Sequence, residues 1–186
     1  SLHNGGHTTE TLTYAQNNGI VNESCFPFQN DELIPCNNKC TLPDDVVSIN
    51  GYNVINLNNN IEPQLKYNII HYGPLAVSIN NNFYRHAMCL VGYKVIEAGD
   101  TIQFLRDNQS YSNIIIDENS AYIGRTYWIF KDSSGENAYQ DGYKYILFDR
   151  TSMITQAYSI NTPVYSQNYN STDVVIEDRD GDGFYN

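Results

Sequence analysis

Hydrophobic and polar positions alternate in two different rhythms along the chain. Over residues 8–18 the spacing is helical: Leu12 and Ala15 share a face, Thr8 or Thr9 supplies a capping hydroxyl, and Gly19 supplies a left-handed stop. A second helix is predicted over 61–72, where Ile61, Leu65 and Ile69 form a stripe, Pro63 suits the first turn and Gly73 ends the run. Between them, residues 20–48 read as irregular loop, because Pro27, Pro35, Pro43 and a cysteine cluster interrupt every period. From Pro74 onward the rhythm is that of strands. The predicted strands are Leu75–Ile79, His86–Val95, Thr101–Arg106, Asn113–Ile116, Arg125–Lys131 and Gly142–Phe148. A helix and loop followed by a strand-rich half implies an α+β chain with segregated parts, the strands closing into a compact antiparallel barrel or sheet. There is no internal repeat.

Composition narrows the possibilities. Hydrophobic residues make up 41% of the 186, enough for a core, and the 16 tyrosines suit a twisted sheet. The formal net charge of −11 argues against a surface that neutralises nucleic-acid phosphates. No run approaches the ~18 apolar residues of a membrane span. Cys25, Cys36 and Cys40 cluster in the polar loop, which reads as a local disulfide staple and so as a secreted, extracellular chain. A zinc site at Cys36 and Cys40 is the rival reading, but no second pair or nearby His completes it. Cys89 lies inside an apolar strand and reads as a core filler. The chain begins at Ser1, which suggests a processed or truncated product.

His86 and Asp132 carry the candidate chemistry. His86 opens an apolar strand, and by itself a structural role is the simpler reading. Asp132 ends a second strand, Tyr127–Lys131, and a general base needs an acceptor on its far ring nitrogen to fix tautomer and orientation. Two neighbouring strands that each end in a polar residue can supply that geometry.

The surrounding residues add specificity. The chain contains His86-Ala87 followed by Val91-Gly92-Tyr93, then Tyr127-Trp128-Ile129-Phe130-Lys131-Asp132-Ser133-Ser134-Gly135, then Asp141-Gly142-Tyr143. Upstream stand Asn4-Gly5-Gly6, Asn18-Gly19-Ile20, Phe26-Pro27-Phe28 and Gly73-Pro74-Leu75-Ala76-Val77. In kind and order these landmarks resemble the C-terminal part of papain-like cysteine peptidases. The resemblance implies the remnant of a helical lobe over 1–48 and an antiparallel β-barrel lobe over 49–163, with the active site between the lobes, while 164–186 reads as a linker and an acidic, calcium-type tail. It also implies peptide-bond hydrolysis by a Cys thiolate, with His86 as acid/base and Asp132 as its orienter. Gly5 and Gly6 would line the cleft, where small residues let a peptide substrate approach the backbone; a plain tight turn is the alternative for them.

The sequence also departs from that pattern. The family's nucleophile belongs to a Cys-Trp segment well before the N-G-G turn, and none of the four cysteines stands in its place. The nucleophile and its oxyanion glutamine are therefore expected outside this chain, in a preceding segment or a second chain that completes the fold. Asp132 replaces the family's Asn; a carboxylate still accepts from the imidazole and stabilises imidazolium more strongly. Ser134 replaces the Trp that usually shields the orienting residue, and His3 replaces a family Cys. Cys25 is expected to pair with Cys36 or Cys40. Residues 96–125 form a long insertion, expected to make an extra hairpin. The alternative to an enzyme is a catalytically inactive papain-like module that binds peptide or builds an extracellular assembly.

The tail, Asp178-Arg-Asp180-Gly-Asp182-Gly183, has the D-x-D-x-D-G opening of a calcium loop, with Asp178, Asp180 and Asp182 as the ligands. A solvated acidic tail is the plainer reading, and a calcium-dependent adhesion role would rest on this motif alone. Sequons at Asn22, Asn108 and Asn170 permit glycosylation.

Overall fold

The computed structural model describes residues 6–22, 24–27, 46–57, 61–82, 85–107, 109–133, 142–161 and 163–165. In chain order its elements are α1 (Thr8–Asn18), β1 (Ile20–Val21), β2 (Val46–Ile49), β3 (Tyr52–Val54), α2 (Ile61–Tyr72), β4 (Leu75–Asn80), β5 (Arg85–Val95), β6 (Thr101–Leu105), β7 (Ser112–Ile115), β8 (Thr126–Lys131), β9 (Tyr143–Phe148), β10 (Ile154–Ile160) and β11 (Pro163–Tyr165). A 3-10 turn at Thr151–Met153 leads into β10.

The chain divides into two units, Ser1–Asn50 with Pro163–Asn186, and Gly51–Thr162. In the first, β2 is the centre of a three-stranded sheet between β1 and β11. α1 buries Leu12 and Ala15, the face expected of it. Its cap differs from expectation. His7 occupies that position with no side-chain cap bond, and the N–H groups of Glu10 and Thr11 bond the His7 carbonyl. Thr8 and Thr9 already lie within the helix, so their hydroxyls are past the position from which a cap reaches back. Gly19 has φ of 72°, and a Cβ there would lie 2.3 Å from Val46 Cγ1, so no side chain fits. Residues 20–48 are not irregular throughout, because β1 and β2 pair from its two ends, Ile20 with Val47 and Val21 with Val46. Strands this short hold too few residues for a period to show.

In the second unit, eight strands run in the order β3-β10-β4-β5-β8-β9-β6-β7. Every pairing among them is antiparallel except β6 with β9. At β8 and β9 both faces are covered. Trp128, Phe130, Ile146 and Phe148 join the larger core with Leu65 and Ile69 of α2. Tyr127 and Leu147 point the other way, into a second cluster with Ile96, Ile102, Phe104 and Ile116. Two-sided burial explains the near-continuous apolar runs of these strands. Full burial of Leu65 or Ile69 stabilises by roughly 1.5–3 kcal/mol each, which holds α2 on the sheet. The insertion forms the expected hairpin from β6 and β7, and β6 joins it to the main sheet alongside β9. β3, β10 and β11 went unpredicted. β10 lies between β3 and β4, and a bulge between Ile154 and Gln156 breaks its alternation. None of the helices in the described residues is long and apolar enough to cross a membrane.

Candidate active site

The period of two along paired strands creates the site. On β8 the buried positions Trp128 and Phe130 are in phase, and Asp132 is the next rung on the same face. Its N–H donates to the Gly142 carbonyl at 3.0 Å, which extends the β8–β9 ladder by one residue. On β9, Lys144 opposes Phe130 and is in phase with Ile146 and Phe148. On β5, His86 is in phase with Met88 and Leu90 and opposes Ile79 of β4. Three polar residues thus end the large core on three consecutive strands.

The geometry joins them. His86 Nε2 lies 2.7 Å from Asp132 Oδ1. Since a carboxylate only accepts, Nε2 carries the proton and donates. Ser133 N–H donates to the same oxygen at 2.9 Å, and Lys144 Nζ is 2.6 Å from Oδ2. The Asp132 side chain is 1% exposed, that of Lys144 3% and that of His86 29%. The acid and the lysine are inside, and the imidazole reaches the surface. A carboxylate held by three donors in a dry site cannot rotate freely, so it fixes the ring plane and tautomer of His86. Lys144 Nζ also lies 5.2 Å from the ring centroid of Tyr111, which comes from the inserted segment and packs against the core.

The loop carrying Tyr111 is tied down by Asn81, which is 1% exposed. Its Nδ2 donates to the carbonyls of Arg106 at 2.7 Å and Gln109 at 2.6 Å. Asn82, at φ of 68°, and Arg150 both bond Asp107 in the same loop.

Cys89 is a free cysteine. It is out of phase with His86 on β5 and faces the other side of the sheet, opposite Lys131. Burial pushes its thiol up, against a smaller downward pull from Lys131. Both facts separate it from the chemistry of His86. Gly6 is exposed, with open space where a Cβ would stand. Gly5, Cys36, Cys40, Ser134, Asp141, Asp178, Asp180 and Asp182 lie outside the described residues. Within those described, no cluster of His, Cys, Asp or Glu could hold a metal ion.

The structure brings together His86 and Asp132 as anticipated and adds Lys144, which the sequence pattern alone does not single out. Its signal was present, since a lysine two and four residues before Ile146 and Phe148 is in phase with the core. A lysine there needs a buried acid as its partner.

Comparison with known proteins agrees with this geometry. A sequence profile of the papain family of cysteine proteases matches residues 3–165. Cysteine proteinase 1 of Zea mays is 26% identical over 160 residues, covering 75% of this chain and 36% of the maize protein. Among solved structures, one reported for mite-allergen antibody cross-reactivity superposes with TM-score 0.57 at 17% identity, over 85% of this chain and 48% of that one. A digestive procathepsin L2 proteinase from Tenebrio molitor larval midgut gives 0.52 at 20%, over 85% and 48%. A Carica candamarcensis cysteine protease gives 0.52 at 15%, over 86% and 70%. The chain spans about half the length of the first two of these structures and about a third of the maize protein. By the profile match over most of its length, and with the fold of the solved relatives, the chain belongs to the papain family of cysteine proteases.

Proposed function

We propose that this chain supplies the acid/base half of a secreted cysteine endopeptidase site, whose nucleophilic thiol comes from a segment other than the one described. The observation that carries the reading is the 2.7 Å bond from His86 Nε2 to a carboxylate that is almost wholly buried. With Nε2 bonded to Asp132, Nδ1 is the ring nitrogen that would exchange the proton with a thiol. Proton transfer from that thiol to Nδ1 gives a thiolate–imidazolium pair. The thiolate attacks the peptide carbonyl, and the imidazolium protonates the leaving amine as the C–N bond breaks. His86 then takes a proton from water as it attacks the acyl-enzyme, and the acid product and thiol are released. Gly6, exposed and without a side chain, suits a backbone edge along which a peptide substrate lies.

The test is hydrolysis of a fluorogenic peptide by the full-length protein, with H86A and D132A beside the wild type. H86A is expected to lower kcat by about 10²–10⁴-fold. Absence of hydrolysis in the wild type, with a Cys-Trp segment present, would overturn the reading. If the nucleophile position proves substituted, the alternative of a non-catalytic peptide-binding module takes its place, favoured by the Asn-to-Asp and Trp-to-Ser departures. A pairing of Cys25 with Cys36 or Cys40 belongs to the same proposal, and such a disulfide would fit both a stapled loop and secretion. Calcium binding by Asp178, Asp180 and Asp182 is a separate proposal. Calorimetric titration of a chain extended beyond Asn186 should show heat with millimolar calcium, and a flat titration removes it.

A further inference from the structure

We infer that Lys144 is a positioning residue for His86, and that the buried Asp132–Lys144 pair together stands in for the neutral carboxamide that papain-like peptidases place at position 132. The inference rests on the acid/base reading of His86.

Its starting point is a conflict. Asp132 brings a full negative charge to a side chain only 1% exposed, bonded to the imidazole. A lone carboxylate in such a site would hold the ring as imidazolium, whereas the proposed reaction needs it to give and take a proton in each cycle. Lys144 removes the conflict. Its ammonium is 2.6 Å from Oδ2, on the carboxylate oxygen that His86 does not use, and it is itself 3% exposed. The imidazole therefore meets a net-neutral pair that presents an acceptor oxygen, as an amide does. Orientation is kept, and the charge state of the ring is not locked.

No other described charge on these strands competes for that role. Arg85 and Cys89 on β5, Tyr127 and Lys131 on β8, and Tyr143 and Tyr145 on β9 are out of phase with the trio and face the other side of the sheet; Lys94, opposite Tyr127 at the far end of β5, bonds Asp100, and Tyr93, beyond the β5 bulge, packs on the large core beside Trp128. β4, on the far side of β5, carries no titratable group. On α2, Glu62 and Lys66 bond Thr126, at the opposite end of β8 and about 20 Å along the strand. Arg106 and Asp107 belong to the inserted loop, whose Tyr111 ring lies over the ammonium. That aromatic contact lies at the ammonium in a chain whose Ser134 replaces the family's shielding Trp.

The experiment is an NMR titration of the His86 imidazole in the chain as it stands, comparing wild type with K144M, K144Q and D132N/K144M. K144Q retains a donor to Oδ2 and loses only the charge. Both single variants are expected to raise the His86 midpoint by about one pH unit relative to wild type. The double variant, which restores the family's amide beside an apolar neighbour, should return it to the wild-type position. An unmoved midpoint in K144Q, or a double variant that stays with the singles, would overturn the proposal. If neither single variant folds, the double decides: refolding with a wild-type midpoint supports the neutral pair, and failure to fold refutes it. These outcomes do not depend on a nucleophile. Opposed shifts in a full-length protein that hydrolyses no peptide would therefore discard the peptidase reading while leaving the charge pairing intact.

Discussion

Two ion pairs of nearly equal length lie at opposite ends of β8, and they differ in consequence because of water. At the C-terminal end, Lys144 and Asp132 meet at 2.6 Å with side chains 3% and 1% exposed. At the N-terminal end, Lys66 and Glu62 meet at 2.7 Å with side chains 26% and 40% exposed. The second pair is also well connected. Thr126 Oγ1 donates to Glu62 at 2.6 Å and accepts from Lys66 at 2.9 Å, and the Lys66 ammonium lies 4.8 Å from the Tyr93 ring centroid. Solvent nevertheless screens it, and either partner can turn to water if the other is removed. Neither Asp132 nor Lys144 has that recourse. Distance alone would rank the two pairs as equals, whereas burial makes the first a constraint on the fold and on His86, and leaves the second a surface tie between α2 and the sheet.

The contrast can be broken experimentally, starting from its largest expected effect. K144M should cost about 3–5 kcal/mol in denaturant unfolding, since it strands a buried carboxylate. A loss below about 1 kcal/mol would mean that Asp132 is solvated after all. N81A comes next. It removes two hydrogen bonds to carbonyls of the loop that carries Tyr111, and about 2 kcal/mol of stability should go with them. Amide exchange in 106–111 should quicken more than in β4; uniform protection would show that the loop is held by other contacts. Alkylation of Cys89 by iodoacetamide at neutral pH should be slower in the folded chain than after unfolding in urea, because burial raises its thiol and the protonated form is unreactive. Equal rates would count against that burial.

The smallest effect belongs to the exposed pair. E62Q or K66M should change stability by less than about 1 kcal/mol. Desolvation pulls the Glu62 carboxyl upward, but hydrogen bonds from Lys66 and Thr126 and the charges of Lys66 and Arg125 outweigh it, so the group lies below its ordinary 4.5. A carboxyl depressed by folding contributes stability that is present above the unfolded value and is lost as pH falls through the folded one. E62Q should therefore shallow the acid limb of the stability profile below about pH 4.5 and leave the alkaline side unchanged. A steeper acid limb in the variant would show that the sign is wrong.

Much of this arrangement was legible before any coordinates. Helical spacing with a glycine stop fixed the limits of α1 and α2, because those signals are local to one or two turns. Alternation of apolar residues located β4, β5, β6 and β7, and near-continuous apolar runs located β8 and β9, each to within a residue, because every one has at least one face that must leave water. His86 and Asp132 were legible as strand-end polar residues within a family pattern. β10 was not, since its bulge spoils the alternation, and β1 and β2 are too short to show a period at all.

What the sequence determined by itself, then, was the set of elements and the phase of each side chain on them, both consequences of backbone geometry and the exclusion of water. Which strands lie side by side was decided only in three dimensions. That choice brings Lys144 to Asp132 and the ring of the inserted Tyr111 to the Lys144 ammonium. Pairing across long sequence separation depends on the summed packing of the whole sheet, and no local stretch of chain encodes that sum.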